Sequence, residues 1–305
     1  MDSIEVNKII KQDFRQTEAW ASYISTLGFK PLILKNNAII HQFKFGPFTI
    51  LKSFRPELDE ESLAQIQEIA DSKINLICKI SPNYEFDTKL MDEKNYQIVN
   101  STMSPIKTCV RDLTEDYEDI FKSFSENTRY KINRSIREKD TIEIIQNPNI
   151  FQLDKFCDFL EKRQKENKFI TYFRKEFKTL RDCFKENIYL INAYDCNGNT
   201  VVSNLYIRNN EKVTYFAGSL NSEFHKSKAG FQLISEAFKF FKNQGVKIYD
   251  FEGLSDERDP NNYEDWLGYS NFKLKFGNIV LSYPIARIKY NNFVFKQMLK
   301  ITNII

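Results

Sequence analysis

The sequence predicts a mixed-sheet α/β (α+β) fold in which one arrangement of elements occurs twice. A chain of 305 residues is long enough for about two domains. Hydrophobic residues make up 42% of it and include 27 Phe, which excludes a disordered chain and indicates an aromatic-rich core. Hydrophobic periodicity gives three strands, a helix and a strand in each half. We therefore expect two tandem domains of one kind, with a cleft between them.

In the first half, short apolar segments are broken by polar or Gly-Pro turns. They predict strands over residues 29–34, 38–45 and 48–54. Leu63, Ile66 and Ile69 recur at helical spacing and predict a helix over residues 60–71. Residues 74–80 then predict the next strand.

The second half repeats this order without repeating the sequence. Three apolar segments predict antiparallel strands over residues 188–194, 200–207 and 213–217. Apolar residues at helical spacing from Phe231 to Phe241 predict a helix, and Gly245 suits its left-handed C-terminal cap. Residues 246–251 predict the following strand. A duplicated unit is the simplest interpretation, and one irregular α+β domain remains the alternative.

We set domain boundaries at residues 1–110 and 111–280, followed by a tail, 281–305, that packs on the N-terminal domain. Thr114 is expected to cap a helix, and residues 127–128 to start another that ends near Glu138 and buries Ile132 and Ile136. Apolar residues near the C-terminus predict a docked helix, with peripheral membrane contact as the alternative.

Charge and residue usage exclude several function classes. There are 44 Lys+Arg against 41 Asp+Glu, so the net charge of +3 gives no global field for nucleic acid or membrane. The five cysteines lack metal-binding spacing, and the histidines, His41 and His225, have no ligand partners nearby in sequence. P-loop, G-x-S-x-G and G-x-G-x-x-G motifs are absent. With a polar N-terminus and no long apolar run, we expect a cytoplasmic protein that needs no metal.

Arg129 is the first candidate for chemistry. It lies near the start of a predicted helix, where the helix dipole disfavours a cation, so an anionic partner is expected. A phosphate would fit the planar guanidinium, and an internal salt bridge is the alternative. Lys131 and Arg134 form an outer stripe on the same helix, which by default is solvated.

Two further candidates lie on predicted strands. Alternation along residues 249–253 places Asp250 and Glu252 on one face, where they could accept a proton or pair with the following loop. In residues 272–277 (FKLKFG), alternation places both lysines on one face. Lys273 in a cleft could stabilise an oxyanion, whereas an ordinary edge strand would leave both lysines in water.

Taken together, these segments resemble the FemABX aminoacyltransferases, which have tandem acetyltransferase-like (GNAT) domains. The segments that carry the resemblance are residues 109–113 (CVRDL), 125–134 (SENTRYKINR), 215–219 (YFAGS), Gly230, 249–253 (YDFEG) and 272–277. The resemblance implies transfer of an amino acid from aminoacyl-tRNA, a transient partner, to an amine of a peptidoglycan or other glycan precursor. It implies no resident cofactor. The precursor would be a nucleotide-sugar or lipid-linked.

The resemblance also implies roles for individual residues. Arg129 would hold acceptor phosphates, and Lys273 would polarise the ester carbonyl. In the reaction that this implies, we expect Asp250 or Glu252 to take the proton, with the ribose hydroxyl of the tRNA as the alternative. The remaining substrate-binding positions would be Lys131, Arg134, Tyr215 and Phe272. The N-terminal Trp motif of the family is matched only by residues 18–20 (EAW), without the lysine that follows it in some members.

Two other functions remain open. An acetyl-CoA-dependent N-acetyltransferase acting on a sugar would use the same fold and would hold the CoA pyrophosphate on a glycine-rich loop. Residues 225–230 (HKSKAG) keep only the last glycine of that loop, although Lys226, Lys228 and Gly230 could still contact phosphates. The other alternative is a binding protein that keeps the fold without catalysis.

Overall fold

The computed structural model describes residues 3–99, 103–167, 174–260 and 263–291. The helices are α1 Ser3–Lys11, α2 Glu18–Thr26, α3 Glu60–Asp71, α4 Lys89–Glu93, α5 Tyr117–Ser123, α6 Glu126–Arg137, α7 Ile150–Asn167, α8 Arg174–Phe184, α9 Ala229–Asn243 and α10 Tyr263–Lys273. The strands are β1 Lys30–Ile33, β2 Ile39–Phe45, β3 Phe48–Phe54, β4 Leu76–Ser81, β5 Gln97–Ile98, β6 Lys107–Asp112, β7 Thr141–Gln146, β8 Ile188–Tyr194, β9 Thr200–Asn209, β10 Lys212–Leu220, β11 Ile248–Asp250, β12 Ile279–Ser282 and β13 Arg287–Tyr290.

The strands form two mixed sheets. One has the order β1-β2-β3-β4-β13-β5, and the other has the order β12-β6-β11-β10-β9-β8-β7. In each sheet, three successive strands pair antiparallel, and a helix then leads to a strand that lies parallel to the third. These parallel pairs are β3 with β4 and β10 with β11. The helices between these parallel strands are α3 and α9. The predicted fold class and the repeated order of elements are therefore confirmed.

The chain divides into two compact units, and each is built from separate segments. The first unit contains residues 1–9, 109–252 and 271–280. The second unit contains residues 10–108, 253–270 and 281–305. The side chains of the candidate site below all belong to the first unit, so the site can be described within one body.

Each unit has its own apolar core. In the second unit, Leu63 and Ile66 of α3 pack with Leu51 and Leu76 of the sheet. In the first unit, Phe238 of α9 is fully buried and contacts the rings of Tyr249, Phe251 and Phe276. Edge-to-face contacts dominate this aromatic cluster, which fixes α9 against β11 and the chain after α10.

Several local predictions were wrong. Residues 272–277 are not a strand, because α10 continues to Lys273 and the amides of Phe276 and Gly277 both bond to the carbonyl of Lys273. Thr114 does not cap α5, since its hydroxyl donates to Asp112 Oδ1 at 2.7 Å. Ser125, rather than residues 127–128, caps α6 through the amide of Thr128.

The helix that follows Ser125 ends near Glu138 as predicted, and it buries Ile132. Ile136, however, is exposed. The expected C-terminal helix falls on residues 293–305, which lie outside the described residues. Within the described ranges, no helix combines the length and the apolar character needed to cross a membrane.

Candidate active site

Lys273 is the last residue of α10, and its side chain returns toward the interior of the unit. Its ammonium donates to the backbone carbonyl of Glu252 and lies 5.6 Å from the centre of the Tyr215 ring. Burial lowers the pKa of Lys273 to about 8, although nearby Cys109, Glu252 and Asp250 act in the opposite direction. At neutral pH the group is therefore a cation with little hydration, close to its own titration point.

Asp250 ends β11 and is held in a buried ion pair. Its Oδ2 lies 3.0 Å from the Nζ of Lys212, and both side chains are almost fully buried. In the parallel register of β10 and β11, Asp250 lies opposite Thr214. Lys212 is two residues before Thr214 on β10, so its side chain lies on the same face of the sheet and reaches Asp250. The other oxygen, Oδ1, accepts the amide of Glu252 at 2.9 Å. Both carboxylate oxygens are thus occupied.

Glu252 does not share a strand face with Asp250, contrary to prediction. The strand ends at Asp250, and Glu252 adopts a φ of +46°, followed by Gly253 at +54°. These two left-handed residues turn the chain so that the Glu252 carbonyl receives Lys273 while its amide faces Asp250. The consequence is a continuous chain of contacts from Lys212 through Asp250 and Glu252 to Lys273.

Tyr215 is held in place by a network of polar groups inside the sheet. Its hydroxyl donates to Asn204 Oδ1 at 2.9 Å, and the Asn204 amide donates to the hydroxyl of Tyr206 at 3.2 Å. Tyr249 also donates to Tyr206, at 3.0 Å. A side chain at Gly218 would overlap both Tyr215 and Asn204, so this position requires glycine. These hydrogen bonds therefore fix the Tyr215 ring in its position beside Lys273.

A cationic and aromatic surface, made of Lys131, Lys228, Lys275, Phe231 and Phe272, lies beside the Lys273 segment. Lys131 Nζ is 4.9 Å from the Phe231 ring, which packs edge-to-face on Phe272 at 5.2 Å. Burial, and then the charges of Lys275 and Lys228, lower the pKa of Lys131. Three predicted residues, Lys131, Lys228 and Phe272, are thus brought together from three parts of the sequence.

Arg129 donates to backbone carbonyls rather than to a carboxylate of the described residues. Its Nη1 donates to the backbone carbonyls of Lys122, at 2.8 Å, and Phe124. These oxygens belong to the end of α5, where the last carbonyls of a helix have no internal donor and the dipole favours a cation. Arg134 pairs with Glu138 at 2.7 Å on the exposed surface, in keeping with a solvated stripe.

The loop before α9 differs from a phosphate cradle. The amide of Ala229 donates to Ser227 Oγ at 3.1 Å, and that of Phe231 donates to the Lys228 carbonyl at 2.8 Å. Lys226 is exposed on this loop. Gly230 lies within α9, where an added Cβ would make only ordinary contacts, the nearest at 3.5 Å to Val202. No close backbone approach requires a glycine there.

Cys109 is a buried thiol in the same unit. Burial raises its pKa to about 12, so it is not a nucleophile at neutral pH. An added Cβ at Gly277 would lie 2.6 Å from its Sγ, which explains the glycine that ends the FKLKFG segment. Among the described residues, no group of three or more His, Cys, Asp or Glu side chains could hold a metal ion.

Sequence reasoning missed Lys212 and Asn204. Lys212 heads an apolar strand directly after a polar turn, where a lysine would ordinarily be solvated. A buried charge there becomes visible only when β10 is paired with β11. Asn204, a polar residue in the middle of the apolar segment 200–207, was a signal that could have been read from the sequence.

The similarity of this chain to known proteins lies in its fold. No protein-family model and no curated protein matches the sequence. Among solved structures, the crystal structure of FemX matches with a TM-score of 0.75 at 13% identity, over 99% of this chain and 98% of that one. The chain has the FemX fold.

Two other structures are similar over most of their length. L-PGS from Bacillus licheniformis matches with a TM-score of 0.60 at 15% identity, over 93% of this chain and 91% of that one. A C-terminal (DUF2156) domain described as that of a lysylphosphatidylglycerol synthetase from Agrobacterium fabrum gives 0.60 at 12%, over 97% and 94%. The resemblance to FemABX proteins is thus confirmed at the level of the GNAT-like fold.

Proposed function

We propose that this protein is an aminoacyltransferase, which moves an amino acid from aminoacyl-tRNA to an amine of a peptidoglycan or other cell-surface glycan precursor. The observation that carries the proposal is the ammonium of Lys273, whose pKa burial lowers to about 8. Removing a cation from water costs stability, and groups whose pKa is shifted in this way cluster at functional sites. The FemX-like fold supports the same reaction class.

The reaction needs a cation where negative charge develops. When a neutral amine attacks the ester carbonyl of the donor, its oxygen gains charge in the tetrahedral intermediate. Lys273 would donate a hydrogen bond to that oxygen, an interaction that contributes about 3 kcal/mol in comparable sites. The Glu252 carbonyl and the Tyr215 ring hold the ammonium in position before the substrate binds. Little reorganisation is then needed as the charge forms.

Asp250 is better suited to positioning than to proton transfer. Its Oδ2 forms an ion pair with Lys212 and its Oδ1 accepts from the Glu252 amide, so protonation would break a buried ion pair. We assign the removal of the amine proton to the Glu252 carboxylate or to the ribose hydroxyl of the donor. The variant Glu252→Gln separates the two, because only the first assignment makes the rate depend on this carboxylate.

The start of α9 favours aminoacyl-tRNA over acetyl-CoA as the donor. A CoA pyrophosphate would accept hydrogen bonds from backbone amides at this helix start. Here the amides of Ala229 and Phe231 already have acceptors within the loop. Lys131, Lys228 and Lys275 can still attract phosphates by charge, which suits an RNA backbone that is held transiently.

The experiment supplies the protein with either charged tRNA or acetyl-CoA and follows label transfer to a panel of acceptors. The panel contains nucleotide-linked and lipid-linked peptidoglycan precursors, amino sugars and phosphatidylglycerol. We expect transfer from charged tRNA to an amine. Lys273→Met should lower the maximal rate by about 10² to 10³-fold, whereas the surface control Lys239→Met should not change it.

Each other outcome contradicts a defined part of the proposal. Transfer from acetyl-CoA alone would overturn the donor, and transfer only to phosphatidylglycerol would overturn the acceptor class. An unchanged rate in Lys273→Met would remove the catalytic role of that lysine. Binding of donor and acceptor without any turnover would favour a non-catalytic binding protein.

A further inference from the structure

A polar groove of about 480 Å³ lies next to the cationic and aromatic surface, within the same unit. Its polar lining consists of Arg111, Glu115, Ser123, Ser125, Lys275 and Asn278. Phe124 and Phe276 form apolar parts of its wall. Only Lys275 of these residues belongs to the site described above, so the groove extends that site rather than repeating it.

Arg111 is the unusual residue of the groove, because it is only 4% exposed. Its Nη2 donates to Ser123 Oγ at 2.7 Å, and its Nε has no hydrogen-bond partner among the described residues. The nearest carboxylate, on Glu115, is 3.8 Å away and belongs to a largely exposed side chain. Buried arginines are ordinarily paired with an anion through two hydrogen bonds, and this one is not.

Two neighbouring features also favour an anion. Ser125 lines the groove and is the N-cap of α6, a helix of 12 residues. The first amides of a helix have no acceptor inside it, and the positive end of its dipole lies there. Lys275 adds an exposed cation, which lies near enough to Lys131 to affect its titration.

We propose that this groove binds a phosphate group, with Arg111 as its anchor and Lys275 as its second cation. Arg129, to which the sequence assigned that task, already donates to two backbone carbonyls. Arg111 instead retains donors that the protein does not use. The source of the phosphate, either donor or acceptor, rests on the proposed function, but phosphate binding can be measured without any transfer.

The test measures the affinity of the full chain for pyrophosphate by calorimetry at low ionic strength. Arg111→Gln should weaken binding about tenfold or more, the effect expected for a lost charged hydrogen bond. Lys275→Gln should weaken it several-fold, and it keeps the test decisive if the buried Arg111 variant does not fold. Arg137→Gln, which removes the same charge from the far end of α6, is the control and should have no effect.

Glu115 gives a test in the opposite direction. Its carboxylate competes with the phosphate for Arg111, so Glu115→Gln should tighten pyrophosphate binding. Unchanged pyrophosphate affinity in the Arg111 and Lys275 variants would overturn the inference. An equal loss in Arg137→Gln would also overturn it, because the effect would then follow net charge alone.

Three further probes identify the source of the phosphate: an RNA hairpin ending in CCA, a uridine diphosphate sugar and coenzyme A. The probe whose affinity falls in Arg111→Gln carries the phosphate that the groove binds. If the wild-type protein catalyses transfer but Arg111→Gln leaves its pyrophosphate affinity unchanged, this inference is wrong and the proposed function stands. Arg111-dependent binding in a protein that transfers nothing would overturn the proposed function alone.

Discussion

His41 should make the second unit sensitive to mild acid. The ring lies in β2, is fully buried, and neither nitrogen has a hydrogen-bond partner among the described residues. The centre of the Phe54 ring lies 6.1 Å from that of His41. Burial lowers the pKa of His41 to about 4, from 6.5 in an exposed histidine. The unfolded chain therefore takes up a proton at a higher pH than the folded protein does.

The sign and size of the effect follow from this difference. A depressed folded pKa gives stability that is complete above about pH 6.5 and is lost as the pH falls toward 4. The difference of about 2.5 pH units corresponds to about 3.4 kcal/mol when fully developed. At pH 4.5 the loss is about 2.5 kcal/mol, which is a large part of the stability of an ordinary domain.

The assay is urea unfolding between pH 7.5 and 4.5, followed by tryptophan fluorescence. Both tryptophans, Trp20 and Trp266, belong to the same unit as His41, so the signal reports on that unit. His41→Leu cannot take up a proton, so its stability relative to the wild type should rise by about 2.5 kcal/mol over this range. The control is the exposed His225→Gln. A stability difference between His41→Leu and wild type that does not change with pH would refute the reasoning.

Three other predictions follow from single contacts. The transfer rate should fall above pH 8 as Lys273 loses its proton, and Lys273→Arg should move the fall to higher pH in a pH-rate profile. Asp250→Asn should destabilise the protein by about 3 to 5 kcal/mol, and adding Lys212→Met should recover part of the loss in denaturant unfolding. Gly218→Ala should lower the free energy of unfolding by about 1 to 3 kcal/mol, because the added methyl group overlaps its neighbours. Gly268→Ala, which has open space around it in α10, should raise the free energy of unfolding by about 0.5 to 1 kcal/mol. Equal melting temperatures of the two variants would contradict both predictions.

Elements whose hydrophobic pattern has a clear period were predictable from the sequence. The bounds of β3, α3 and β8 coincide with their predicted residues, and α9 begins and ends within two residues of its apolar stripe. In these segments, local preference and tertiary packing favour the same structure. The order of strands, helix and strand, and hence the fold, follows from them.

The FKLKFG segment was misjudged because a short run can satisfy two periods at once. Phe272 and Phe276 alternate with lysines, as in a strand, but they are also four residues apart, as on one side of a helical turn. In the structure their rings contact each other at 5.4 Å, with Phe231 against both. Packing of these rings decides between the two periods, and single-sequence periodicity does not contain that information.

Two contacts of the site could not be predicted from local patterns in the sequence. Lys212 and Asp250 meet only because β10 and β11 are parallel neighbours, and Arg129 finds its acceptors only because α5 ends where α6 begins. Neither arrangement leaves a local pattern. Resemblance to a family could propose Lys273, but the pKa of that lysine depends on the groups that fold around it.

Three features around Lys273 each lower the stability of the fold. A left-handed backbone at Glu252 costs about 1 to 2 kcal/mol for a residue other than glycine. The buried Lys212–Asp250 pair brings a desolvation penalty that its attraction only partly offsets, and the Lys273 ammonium gives up hydration as well. A scaffold selected for stability alone would avoid all three. All three act on the position or charge of one ammonium, and their combined cost agrees with the role proposed for Lys273, a cation held ready for a developing negative charge.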